Sequence, residues 1–307
     1  MDALSLITAF GGGAFGAAIG GTNAFIFTGI FAICGSVAGM CGYGDVAGFV
    51  MGNIAFGSFF GPHIGFTGGV GAAAYAKKRG YMENGADTVT PLVKFNKPDI
   101  LIVGGVVGVI GYLLKVLIVD NVFAGTVSKQ LITDGPGIIV FCFAVVIRLV
   151  FGGKFRTGTG VLSKGSAFGN VIVIGLTYGI VTAGIFASCA NASGDVAGFC
   201  ATYGGYFHTL MFGLAAVGLL IAVAGHPYYA HHHIMIITAE ATVQSMPHVG
   251  YNPMTAFAIG VVFGIITAIL FDLGANVFNS GTDSHIDPPA FSIFIMTFVV
   301  NAVFPAM

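Results

Sequence analysis

Apolar runs recur along the whole chain, at residues 9–33, 45–60, 62–77, 99–119 and 135–152, then 166–188, 195–222, 228–245, 254–278 and 288–305. Most are long enough to cross a bilayer, and the polar stretches between them never exceed about twenty residues, too few for a separate soluble domain. An unsatisfied backbone group in lipid costs several kcal/mol, so a span must close its hydrogen bonds within itself or in a barrel. The alternation of a barrel strand is absent, which leaves helices. The pattern predicts an all-α polytopic integral membrane protein with about ten transmembrane or re-entrant helices. The second and third runs are short and meet at Gly61-Pro62-His63. They read as two tilted spans or as a re-entrant pair of half-helices.

The pattern also repeats. Gly44-Asp45-Val46-Ala47-Gly48-Phe49 returns unchanged as Gly194-Asp195-Val196-Ala197-Gly198-Phe199. Ala14-Phe15-Gly16 pairs with Ala167-Phe168-Gly169, Gly29-Ile30-Phe31-Ala32 with Gly184-Ile185-Phe186-Ala187, and Asn121-Val122-Phe123 with Asn276-Val277-Phe278. Thr133-Asp134 pairs with Thr282-Asp283. These matches divide the chain into two copies, residues 1–156 and 157–307. Five runs per copy is an odd number, so the second copy is expected to run upside down relative to the first. The layout resembles the inverted-repeat architecture of many secondary transporters and some channels, in which substrate binds between the repeats.

Composition and charge sharpen this picture. The chain is 56% hydrophobic and 7% charged, with a mean hydropathy of +0.94, which excludes a water-soluble globular protein. All eleven Lys and Arg lie at or before Lys164. By the positive-inside rule, the loop with Lys77, Lys78, Arg79, Lys94 and Lys97 and the linker with Lys154, Arg156 and Lys164 face the cytoplasm. Both termini are then expected outside, in a prokaryotic plasma (inner) membrane. No basic patch suits nucleic acid, no GxxxxGK[ST] motif suits a nucleotide, and the start MDALSLITAF lacks a cationic leader.

Residues able to carry chemistry are few. Asp45 and Asp195 open equivalent runs, as N-caps or as paired carboxylates near the pseudo-two-fold axis, on opposite membrane sides. His63 and His226 lie in the related turns Gly61-Pro62-His63 and Gly225-His226-Pro227, as helix starts or as groups that gate or coordinate a solute. His231, His232 and His233 invite a metal reading. Adjacent helical residues diverge by about 100°, and Glu240 lies about 10 Å along the axis, so the three cannot close a shell with it. Glu240 and Asp272 are the carboxylates in the most apolar context, expected to bind solute or ion, with Glu240 as a proton- or cation-responsive group. Lys115 reads as an ion-pair partner for one of them or as a cation snorkelling to an interface.

Cys34, Cys41, Cys142, Cys189 and Cys200 form no CxxC pair and read as small buried hydrophobes. The four-residue glycine spacings at Gly12-Gly16-Gly20, Gly61-Gly65-Gly69, Gly104-Gly108 and Gly165-Gly169 suit close helix packing. The expectation is a transport protein without enzyme activity or cofactor, partnered by the lipid bilayer, a small solute or ion, and copies of itself. A structural membrane protein forming glycine-packed arrays and an intramembrane histidine-dependent metalloenzyme are the alternatives.

Overall fold

A computed structural model describes residues 2–122, 132–156, 158 and 160–305 of the chain. Phe123, the last residue of one repeat match, lies outside them. The first half contains α1 (Ala3–Ile19), α2 (Gly21–Met40), α3 (Gly44–Phe49), α4 (Gly65–Lys78), α5 (Pro98–Val122) and α6 (Gly135–Gly152). The second contains α7 (Ser166–Ala192), α8 (Val196–Val223), α9 (His232–His248), α10 (Pro253–Phe278) and α11 (Pro288–Val303). No strand occurs among the described residues. Six of the helices, α2, α5, α6, α7, α8 and α10, are long and apolar enough to cross a membrane, the make-up of a helical integral membrane protein.

Local chemistry explains most boundaries. Asp134, Asp195, Asn252 and Asp287 accept hydrogen bonds from first-turn amides and start α6, α8, α10 and α11. Proline in the first turn of α5, α6, α10 and α11 reinforces the start, because that turn has no use for the missing N–H.

Two expected runs are corrected. The run over 9–33 is two helices, broken at Gly20, whose φ of +93° admits glycine and few others. A loop from farther along the chain fills the break. Thr22 donates its amide to the Thr88 carbonyl at 2.8 Å, and the Asn23 side chain donates to Ile19 and Val89 carbonyls. These bonds satisfy groups that an interrupted helix leaves open. The run over 45–60 stops at Ala55, after α3 widens into a π-helical stretch, Val50–Ala55. Similar π stretches occur in α5 at Lys115–Val119 and in α6 at Arg148–Gly152.

Glycine lets backbones meet. A Cβ on Gly16 would lie 1.9 Å from the Gly65 carbonyl oxygen, and one on Gly13 2.2 Å from that of Gly104, so α1 packs directly on α4 and α5. Nothing approaches Gly165 or Gly169, so close packing does not extend to that pair. α7 lies along α10 through Gly175 and Gly179. α2 runs antiparallel to α8, since Gly29 faces Gly213 and Ala216 while Gly39 faces the Tyr206 ring. The cysteine expectation fails: Cys34, Cys142 and Cys189 are exposed on helix sides and Cys41 is exposed in the turn after α2.

The basic loop, the linker and the 279–287 connection meet at one end of the molecule. Lys77 approaches Asp283 at 3.8 Å, and Lys78 donates to the Val150 carbonyl at 2.7 Å. Arg148, fully buried, ties the same end together. It donates to Ser284 Oγ at 2.8 Å, to the Ser284 carbonyl at 2.7 Å, to Asn279, and to the carbonyls of Phe155 and Phe278.

Candidate functional site

A cavity of about 710 Å³ lies between the two halves, lined from α2, α3, α4, α5 and α6 on one side and α8, α9, α10 and α11 on the other. That volume is within the range of small-molecule sites. Its wall is mainly apolar. Phe25 of α2 packs edge-on against Phe66 of α4 at 5.8 Å and Phe212 of α8 at 5.3 Å, so aromatic contacts cross from one half to the other. His232 joins this cluster, with its ring 4.8 Å from Phe25.

Ionisable groups interrupt the wall at a few points: Lys115, Asp134, His208, His232, Glu240, His285 and Asp287. Most are already engaged. Asp134 accepts from the Gly137 amide, capping α6. Asp287 caps α11 through the Ala290 amide at 2.8 Å and faces His285 Nε2 at 3.0 Å. The Lys115 ammonium donates to both carboxylate oxygens of Asp120, at 2.8 and 3.0 Å. Glu240 has a neutral partner, the Thr297 hydroxyl, which donates to it at 2.9 Å. His232 is only 5% exposed, and its Nδ1 has no hydrogen-bond partner among the described residues.

Of the residues singled out from sequence, the cavity gathers Glu240, His232 and Lys115. The alternative reading, a pair between Lys115 and Glu240 or Asp272, is corrected, because the π stretch of α5 brings Lys115 to Asp120 instead. Asp272 is buried elsewhere, accepting from the Ser163 amide at 2.8 Å and hydroxyl at 2.6 Å, which staples the linker to α10. Asp45 and Asp195 are exposed and lie at the same end of the antiparallel α2–α8 pair, not at opposite ends and not in the cavity. Asp195 caps α8 through the Gly198 amide at 3.0 Å.

His63 is fully buried, with both ring nitrogens unpartnered among the described residues, and His226 is exposed beyond α8. The adjacent histidines diverge, His232 and His233 as neighbours on α9 and His231 from the non-helical position just before it. His231 stacks on Tyr178 at 4.1 Å and hydrogen-bonds the Tyr228 hydroxyl, whereas His233 stacks on Phe271 at 4.4 Å. Among the described residues no three His, Cys, Asp or Glu side chains are grouped to hold a metal ion, so the metal reading of His231, His232 and His233 has no geometric support.

Sequence reasoning missed Asp134 and Asp287 as cavity residues and Arg148 as a buried clamp. A signal for the two acids existed, since each immediately precedes a Gly- or Pro-rich helix start, Asp134-Gly135-Pro136 and Asp287-Pro288-Pro289. Nothing local marks Arg148, whose partners are mostly about 130 residues away.

No curated protein and no solved structure significantly matches the chain. One family does, described as a family of unknown function (DUF7973), and it matches twice, over residues 1–158 and again over residues 156–306. The chain therefore belongs to this family, each half matching it separately.

Proposed function

We propose that the protein is a membrane transport protein that moves a small solute or ion through the cavity between its two halves. The observation that carries this reading is the cavity itself, walled by both halves and holding a carboxylate, Glu240, that has only a hydroxyl partner among the described residues. Ionisable groups at membrane depth are costly and mark routes for ions or solutes.

The topology we infer has ten crossings, with α3 and α4 together making one interrupted crossing. Each half then has five, which inverts the second half and leaves both termini on one side. Packing supports this correspondence: α1 lies along α5 as α7 lies along α10, and α2 meets α8 across the interface. The clustering of the basic loop and linker at one end fits a cytoplasmic face there. On this count the identical hexapeptides follow the second crossing in the first half and the first crossing in the second. Local identity and topological equivalence part company at that point. Rocking of the halves, or movement around the Gly20 and 56–64 breaks, would expose the cavity alternately.

Labelling of Lys94→Cys and His248→Cys in a cysteine-free background tests the topology, and the two must be reached from opposite sides. Function is tested by reconstitution in liposomes with a panel of labelled solutes, where saturable flux is expected. Glu240→Gln should cut that flux at least tenfold while the protein remains folded. Full flux in that variant would remove Glu240 from the route.

A further inference from the structure

The charges around the cavity determine what kind of solute it suits. Helix N-termini favour anions, and those of α6 and α11 face this cavity, but the protein's own Asp134 and Asp287 carboxylates already occupy them. The cavity's ammonium, Lys115, is held by both oxygens of Asp120. His285 faces Asp287. Among the described residues, what remains without a compensating charge is Glu240, bonded to the Thr297 hydroxyl, together with His208 and the buried His232, whose Nδ1 is unpartnered.

An inorganic cation needs several oxygen or nitrogen ligands to replace its hydration shell. Glu240 and Thr297 are too few, and no three His, Cys, Asp or Glu side chains gather among the described residues. An organic cation needs a single carboxylate for its charge and apolar wall for its body. The wall is present. His232, Ile236 and Glu240 follow at i, i+4 and i+8 on α9, and all three line the cavity. They form one stripe about 12 Å long. Phe25 and Phe212 close on it at the His232 end.

We propose that the cavity takes a small organic monocation, its ammonium group at Glu240 and its apolar body along the stripe toward His232, Phe25 and Phe212. This deepens the transport reading of the same cavity and rests on it. The measurement is binding, so the two can fail separately.

Isothermal titration of the full-length protein in nanodiscs would compare three probes of nearly equal shape: 2-phenylethylammonium, 2-phenylethanol and 3-phenylpropanoate. The ammonium probe is expected to bind saturably and at least tenfold more tightly than the alcohol, with the carboxylate weakest. Glu240→Gln should erase the preference of amine over alcohol and leave the alcohol's affinity unchanged. The wild-type ranking depends on no variant and so stands whether or not Glu240→Gln folds. Equal or tighter binding of the alcohol or carboxylate, no saturable binding of the amine, or an undiminished amine preference in a folded Glu240→Gln protein would overturn the proposal. Saturable flux of another solute without amine binding would sink the substrate class and keep transport. Amine binding without flux of any solute would keep the site and sink transport.

Discussion

The two halves match the same family yet are built differently. The first carries every Lys and Arg except Lys164, three π-helical stretches and two breaks, at Gly20 and around residues 56–64. In the second, α7, α8 and α10 run 27, 28 and 26 residues, and among the described residues no π stretch occurs. π stretches often mark functional sites because they leave backbone groups less regularly paired. Here two of the three place cavity residues, Met51 and Gly52 from α3 and Lys115 from α5. The comparison teaches that the first half supplies irregular backbone and most of the fixed cations, while the second supplies three long helices and, on α9 and the segment before it, Glu240 and most of the histidines.

The largest expected effect tests how the halves are held together. Arg148→Met strands several carbonyl acceptors of the α10–α11 connection, so stability should fall by about 4 kcal/mol. Thermal unfolding in detergent would show it, and a loss below about 1 kcal/mol would mean the clamp matters little. Next comes packing. Gly16→Ala drives a methyl into the Gly65 carbonyl and should cost about 3 kcal/mol, whereas Gly179→Ala, whose nearest contact is 3.2 Å, should cost under about 1 kcal/mol. Equal losses would erase the contrast between the tight α1–α4 contact and the looser approach of α7 to α10 at Gly179.

Smaller again is the Lys115–Asp120 pair, which is partly exposed on both sides. Lys115→Met should cost at most about 1 kcal/mol, and adding Asp120→Asn should bring little further loss. A double-mutant cycle measures the coupling; a loss in Lys115→Met reversed by Glu240→Gln would instead restore the ion pair expected from sequence. Asp195→Asn should change stability by under about 0.5 kcal/mol, because Asn caps as well as Asp, with Asp195→Ala costing about 1 kcal/mol. A larger effect of the Asn change on flux would return a charge role to this residue.

The loop that fills the Gly20 break offers a pH test. Burial raises the Asp87 carboxyl, but hydrogen bonds from Thr90 and Val89 outweigh it and hold the group below the ordinary carboxylate range. A lowered native value stabilises the loop above the unfolded value of about 3.9 and loses that contribution as pH falls through the native one. Limited proteolysis of residues 79–97 should therefore be flat at neutral pH and accelerate only in acid. Acceleration that begins near neutrality would contradict this.

Helix positions with strong local signals were legible. The run expected at 254–278 is α10, Pro253–Phe278, because Asn252 and Pro253 mark its start in the sequence itself. The divergence of His232 and His233 followed from helical periodicity, whereas His231 lies before the helix start and takes its direction from Tyr178 and Tyr228. The break in the first run was not legible, because Gly20 opens the helix only where Thr88 and Val89 arrive to bond its free groups. Nor was the partner of Lys115, since one π turn shifts side-chain directions that a regular helix would fix.

By itself the sequence determined the solvent and the unit of construction. Continuous apolar runs with 7% charge can be stable only where water is absent, and a twofold family match is a property of residue order alone. The tertiary structure decided which few polar groups face one another. Hydropathy reports how much apolar surface a segment has, and it does not report which face turns inward. Glu240 and Asp272 look alike in sequence, yet folding staples one to Ser163 and opens the other to the cavity, because each outcome depends on a partner more than 50 residues away.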